Sequence, residues 1–165
     1  MLVDTGAFHN RCGEYWLGQV QSALEQAQGH LDPQHSKIIW ERLDVPHPIR
    51  GVANEQVQAK WKVKVPIGLP GGGLTYYQCL YLEKNNTPGL LGMNAMKKAN
   101  TILDLRPGQM FMYSGASGNA EIVIPNSSNY KKFKLIESPG GHIMLSCTNY
   151  YKAEPVHSQV SRKES

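Results

Sequence analysis

One acidic residue near the start of the chain stands where an aspartate can do chemistry. Asp4 follows the apolar pair Leu2-Val3 and precedes Thr5, Gly6 and Ala7. An aspartate at the end of a short strand, presented by a tight glycine turn, holds its carboxylate where a peptide backbone and a water can approach. The alternative is an Asx-turn, in which Asp4 only caps its own loop. Four residues alone do not decide between the two.

A second segment has the composition of a strand that runs into a helix. Leu90 and Leu91 form an apolar strand that ends at Gly92, and a short helix is predicted from about Met93 to Ala99. A further strand is expected through Ile102, Leu103 and Leu105. The simpler interpretation is a plain strand–turn–helix junction, in which the glycine serves tight packing.

Together the two segments resemble the retropepsins, the aspartic peptidases of retroviruses and retrotransposons. In that family an apolar-apolar-Asp-Thr-Gly-Ala loop holds the catalytic aspartate, and an apolar-Leu-Gly-x-Asn segment starts a helix that packs beneath it. The matching residues are Leu2–Ala7 and Leu90–Asn94. The resemblance covers roughly Leu2 to Phe111 and is specific at its two ends. It implies a mostly β fold, a single-lobe acid protease barrel with inserted helices that is closed by homodimerisation.

The resemblance also implies a site and a mechanism. Asp4, Thr5 and Gly6 correspond to the catalytic residues, and a β-hairpin flap is expected at Ile49–Gln56. The implied substrate-binding residues are Ala7, Gly51, Val52, Ala53 and Leu91. Because the chain has one Asp-Thr-Gly, a second subunit must supply the other carboxylate. The implied function is an endopeptidase acting on a peptide or polyprotein, itself derived from a retroelement polyprotein, with no metal and no organic cofactor.

Two other functions stay open at this point. Family members usually have a strand or hairpin before the catalytic loop, whereas three residues precede Asp4 here. The chain would then be a fragment, or its C-terminal extension replaces the missing strands. The domain could also be a catalytically silent retropepsin-like module for dimerisation or interaction. A third possibility is an unrelated β domain that binds RNA or peptide through the hairpin Gln58–Leu82, which carries lysines and the tyrosines Tyr76, Tyr77 and Tyr81.

Composition narrows the class of protein. The chain has 165 residues, 41% hydrophobic and 18% charged, with 16 glycines and 10 prolines, which favours one globular domain rich in strands and turns. The net charge of +4 comes from scattered lysines that alternate with apolar residues, so nucleic acid is not the expected partner. No apolar run approaches the roughly 20 residues of a membrane span. With no signal peptide at Met1, a cytoplasmic protein without a membrane partner is expected.

Cysteine and histidine give no sign of a metal site. Cys12, Cys79 and Cys147 are odd in number and far apart in sequence, and are predicted to be reduced, buried thiols. The histidines lack the paired spacing of a metal site.

The periodicity predicts the elements that would position the site. A helix is expected at Glu14–Gln28 with Tyr15, Trp16, Val20, Ala23, Leu24 and Ala27 on one face, then a second short helix or turn from Asp32 to about Leu43. A hairpin is expected from Val57–Val65 and Leu74–Leu82. The domain is predicted to span residues 1–151, with a strand extension from about residue 114 and a disordered tail at 152–165. The later predictions are a strand at Gln109–Tyr113, a loop at Ser114–Asn119, and strands at Glu121–Ile124, Lys132–Glu137 and His142–Tyr151.

Overall fold

A computed structural model describes residues 1–50, 56–71, 73–106, 108–113, 130–139 and 142–150. The described chain is mostly β with few helices, as predicted. The strands are β1 Leu2–Val3, β2 Arg11–Gly13, β3 Ile39–Arg50, β4 Gln56–Gly68, β5 Leu74–Leu82, β6 Leu90–Leu91, β7 Ile102–Asp104, β8 Gln109–Tyr113, β9 Tyr130–Lys134, β10 Ile136–Glu137 and β11 Ile143–Met144. The α-helices are α1 Glu14–Ala27 and α2 Met93–Lys98, and single 3₁₀ turns span Gln28–His30 and Pro33–His35.

The strands form two sheets. The larger has the order β10-β11-β1-β6-β2-β5-β4-β3, and the smaller has the order β7-β8-β9. Most neighbours are antiparallel, but β1 runs parallel to β6 and β2 runs parallel to β5. The short strand β1 therefore lies between β11, from the C-terminal part of the chain, and β6. This places the two residues before Asp4 inside the sheet, between two neighbouring strands.

Helix α1 covers one face of the large sheet. Its buried residues are Trp16, Leu17, Val20, Leu24 and Ala27, which recur at spacings of three and four as the sequence predicted. They pack against Val63, Val65 and Tyr77 of β4 and β5. Tyr15 was expected on the same face but is 67% exposed, because it lies one position off the stripe. The remaining helix prediction is confirmed to within one residue at its end.

Both strands of the predicted hairpin are confirmed, and β4 pairs with β5 from Trp61 opposite Tyr81 to Gly68 opposite Leu74, while the start of β4 pairs with β3. The prediction for the segment before it was wrong. Residues 38–43 were expected in a short helix or turn, but Ile39 begins a 12-residue strand that pairs with β4. Pro46 and Pro48, which were taken as breaks, are tolerated because β3 is the edge strand and needs no outer hydrogen bonds.

A second core cluster lies under α2 and the small sheet. It contains Leu91, Met96, Met110, Phe133, Leu135 and Leu145. The single strand predicted at Lys132–Glu137 is wrong in detail, because β9 pairs with β8 while β10 pairs with β11 in the other sheet. The strand predicted at His142–Tyr151 is confirmed only at Ile143–Met144, with an isolated bridge between Gly68 and Thr148. The predicted strand Glu121–Ile124, the loop Ser114–Asn119 and the tail from residue 152 lie outside the described residues.

The three cysteines are free and buried, as predicted. Pairing of β2 with β5 nevertheless brings the sulfur atoms of Cys12 and Cys79 to within 3.4 Å of each other, although the two residues are 67 positions apart in sequence.

Among the described residues, no helix is both long and apolar enough to cross a bilayer.

Candidate functional site

The loop after β1 is held by its own aspartate. The Asp4 Oδ1 atom accepts hydrogen bonds from the backbone N–H groups of Gly6, at 2.9 Å, and Ala7, at 3.2 Å. This is the geometry of an Asx-turn, and it fixes the direction of the half-buried carboxylate. Thr5 and Gly6 are exposed at the tip of the turn, so the approach to the carboxylate is open on that side.

This loop differs from an ordinary surface turn because backbone hydrogen bonds connect it to β6 and α2. The Asp4 N–H donates to the Leu91 carbonyl at 3.1 Å, continuing the parallel pairing of β1 with β6. On the far side of the turn, the N–H groups of Met93 and Asn94, in the first turn of α2, donate to the carbonyls of Ala7 and Phe8 at 2.7 and 2.9 Å. The two segments that the sequence singled out are therefore bonded to each other through their backbones.

Gly92 has no room for a side chain. A β-carbon there would lie 2.7 Å from the His9 carbonyl carbon and 2.9 Å from the Ala7 carbonyl oxygen. Both contacts are with backbone, which cannot move aside as a flexible side chain can. The glycine is required because the Asp4 loop passes directly over the start of α2.

Two further residues position the loop, and sequence reasoning missed them. The Asn10 side chain accepts from the Gly92 N–H at 2.8 Å and donates to the Gln78 carbonyl at 3.0 Å. The buried Tyr77 hydroxyl donates to the Leu90 carbonyl at 2.5 Å. No local pattern marks an asparagine or a strand tyrosine for such a role, since their acceptors are distant in sequence.

A cavity of about 260 Å³ lies beside the turn. The Asp4 loop side contributes Gly6, Ala7, Phe8, His9 and Arg11, and β3 contributes residues His47–Arg50. Arg50 pairs with Gln56, so β3 and β4 form a hairpin connected by residues 51–55. The flap predicted at Ile49–Gln56 includes these residues, so it lies mostly outside the described residues and stays a prediction.

A larger, basic recess continues from this cavity. It has a volume of about 560 Å³ and shares His9 and His47, whose rings meet edge to face at 5.1 Å. Its other lining residues include Lys62, Gln78 and Lys98, and none is acidic. Lys62 forms an ion pair at 2.9 Å with Glu41, which lies outside the lining, so among the described residues the uncompensated ammonium of the recess is that of Lys98. Partial burial, and then the positive charges of His47 and Lys98, hold the pKa of His9 below its ordinary value. A groove of positive character therefore leads away from the Asp4 loop.

The predicted site residues fall into three groups. Asp4, Thr5 and Gly6 lie together on the turn. Ala7 and Leu91 are brought to the same place but their side chains are buried, so they contribute through backbone groups. Gly51, Val52 and Ala53 lie outside the described residues. In the part of the chain that the structure describes, no group of three or more metal-ligating side chains occurs.

Comparison with known proteins gives a distant likeness in structure. No family model matches the chain, and no curated protein matches it in sequence. Among solved structures, the chain is similar to the crystal structure of the retroviral protease-like domain of Ddi1 from Leishmania major. The TM-score is 0.41 with 14% sequence identity, over 67% of this chain and 74% of that chain. A likeness this distant leaves the function to be argued from the described residues themselves.

Proposed function

We propose that the chain is one subunit of a homodimeric, retropepsin-like aspartic endopeptidase. In the dimer, Asp4 of each subunit would supply one of two catalytic carboxylates. The substrate would be an extended peptide or polyprotein segment bound between the Asp4 loops and the β3–β4 hairpins, with no metal or organic cofactor.

The observation that carries the proposal is the backbone bonding between the Asp4 turn and the start of α2. An Asx-turn that only capped itself would need neither the parallel pairing of Leu2–Val3 with Leu90–Leu91 nor the bonds from Met93 and Asn94. These contacts fix the carboxylate to the sheet, and pre-organised carboxylates are what acid–base catalysis requires.

The chemistry follows from placing two such carboxylates side by side. At hydrogen-bond distance two carboxylates cannot both ionise, so they share one proton. The ionised member takes a proton from a water as that water attacks the scissile carbonyl, and the protonated member donates toward the carbonyl oxygen. The roles reverse when the amide nitrogen leaves. The hydrogen bonds from Gly6 and Ala7 to Asp4 keep the carboxylate oriented throughout.

The exposed residues of the Asp4 loop support a dimer. Thr5 and Gly6 are exposed, and the Phe8 side chain is 59% exposed beside them. One turn carries one carboxylate, so the proposed chemistry is incomplete without a second copy. A twofold axis near the turn would bring the same residues of both copies together.

The test is cleavage of an unstructured peptide by the purified chain. We expect cleavage to be fastest at mildly acidic pH, because the shared proton is lost as the pH rises, and to be blocked by statine-type inhibitors. Asp4→Asn should abolish it without unfolding the protein, since the amide oxygen can still accept from Gly6 and Ala7. Asp44→Asn, an exposed carboxylate on β3, is the matched control and should cleave normally. Cleavage that survives Asp4→Asn would rule out the mechanism.

A further inference from the structure

A separate recess lies on the face of the β4–β5 pair that α1 packs against. It has a volume of about 420 Å³ and is lined by Glu14, Trp40, Trp61, Tyr81, Glu83 and Lys84. Three of these residues are aromatic. The Trp40 ring stands nearly perpendicular to both others, at 86° to Trp61 with 6.1 Å between centroids and at 80° to Tyr81 with 5.0 Å.

Strand pairing sets this arrangement. Trp61 lies directly opposite Tyr81 across β4 and β5, and Trp40 lies opposite Val63, two residues along β4. Residues opposite each other and two apart share a face of the sheet. The three rings therefore meet as walls of one recess, and Trp40 keeps 46% of its surface exposed.

Two carboxylates stand at the rim. Glu14 begins α1, and its Oε2 atom accepts from the Lys84 N–H at 3.1 Å, which holds it against the end of β5. With Glu83 and the single ammonium of Lys84, the lining carries a net charge of −1. Burial raises the pKa of Tyr81, and the negative charges of Glu14 and Glu83 raise it further, so both carboxylates act on the recess.

A cation already contacts one of these rings. The Arg42 guanidinium carbon lies 5.9 Å from the centroid of Trp61. This distance is within the range of a cation–π interaction. The indole of Trp61 therefore already interacts with one positive charge of the protein, and a ligand cation would have to be held by the other rings and the carboxylates as well.

We propose that this recess binds a methylated ammonium group, that is, a quaternary or trimethylated nitrogen. Perpendicular aromatic walls present their electron-rich faces to a cation from several directions, and the carboxylates complement its charge. A methylated ammonium has no N–H groups to leave unpaired, whereas a primary ammonium would lose its hydrogen bonds to water on entering. The site does not depend on Asp4 or on proteolysis.

A purely structural aromatic cluster makes a different prediction. Cross-strand aromatic pairs stabilise hairpins without any ligand. Such a cluster would distinguish poorly between a cation and a neutral molecule of the same shape. The discriminating comparison is therefore between choline and 3,3-dimethylbutan-1-ol, in which carbon replaces the charged nitrogen.

The experiment is an NMR titration of the full chain that follows the indole N–H signals of its three tryptophans. We expect choline to shift the signals of Trp40 and Trp61 and to leave that of the buried Trp16 in place. Choline should bind at least about fivefold more tightly than its neutral isostere, as a cation–π contribution of about 1 kcal/mol or more requires. A peptide with trimethyl-lysine, compared with the unmodified peptide, tests whether the group is presented by a protein or by a small molecule.

Variants locate the site. Trp40→Leu should remove the choline response, and Glu83→Gln should weaken binding about two- to fivefold while leaving the rings in place. Tyr15→Leu, which removes an exposed aromatic on α1 outside the recess, is the matched control and should bind normally. A preference for either methylated probe that depends on Trp40 supports the proposal. Equal affinity for choline and the isostere, or no response to choline or to the trimethylated peptide, would overturn it.

Discussion

The basic recess and the aromatic recess lie on opposite faces of the same two strands. On β4, Lys62 lines the basic recess and its neighbour Trp61 lines the aromatic one. On β5, Gln78 and Leu80 line the first and Tyr81 the second. Because successive side chains of a strand point to opposite faces, one hairpin contributes to two recesses of different character. Under the two proposals, a peptide substrate would bind on one face and a methylated ammonium group on the other.

The largest expected effect is that of Asp4→Asn, which should change peptide cleavage and leave choline binding unchanged. Asp4→Asn should lower the rate of peptide cleavage by at least about 10²–10⁴-fold, the usual contribution of a general acid–base group. Choline affinity of the same variant should equal that of the wild type, because Asp4 is not part of the aromatic recess. Peptide kinetics and the NMR titration measure the two quantities on one preparation. Loss of both together would mean that the substitution unfolds the domain.

A stability experiment tests whether the Asp4 loop depends on its contact with α2. Gly92→Ala forces a β-carbon against the Ala7 and His9 backbone and should lower the free energy of unfolding by about 1–3 kcal/mol. Gly18→Ala is the control, since a β-carbon there meets nothing within 4 Å and alanine favours a helix by about 0.5–1 kcal/mol. Denaturant unfolding of both variants gives the comparison. A Gly92→Ala protein as stable as the wild type would contradict the close packing.

The charge of the basic recess should appear as a preference among substrates. We expect peptides with a glutamate on one side of the cleaved bond to be cut up to about fivefold faster than glutamine versions, in line with about 1 kcal/mol for a partly exposed charge pair. Lys98→Gln should reduce this preference. Lys97→Gln, an exposed neighbour on α2 that does not line the recess, should leave it unchanged. Equal reduction by both variants would indicate a general effect of net charge.

The last prediction is that choline has no effect on peptide cleavage. Choline at a saturating concentration should leave the rate of peptide cleavage unchanged, because the two recesses open on different faces of β4 and β5. Inhibition by choline, but not by sodium at the same ionic strength, would show that the faces are coupled.

The two regions also differ in how far the sequence predicts them. The Asp4 turn, the strand Leu90–Leu91 and the helix after Gly92 are each recognisable from a few consecutive residues, and the structure brings them together. The alternation of β4 likewise predicts its two faces. These features depend on local periodicity and on turn residues, which a sequence displays directly.

What the sequence could not predict depends on distant contacts. β3 was missed because Pro46 and Pro48 break most strands, and only its place at the sheet edge permits them. With β3 unrecognised, neither the contact of His47 with His9 nor that of Trp40 with Tyr81 could be foreseen. Asn10 and Tyr77 were missed for the same reason, since their hydrogen bonds reach across the sheet.

The central claim is that two copies of Asp4 form one catalytic site, and inhibitor stoichiometry tests it most directly. Calorimetric titration of the purified chain with a statine-type peptide should give one inhibitor bound per two chains. Asp4→Asn should abolish this binding. One inhibitor per chain would contradict a site shared across a twofold axis, and no binding by a folded protein would contradict the aspartic peptidase mechanism.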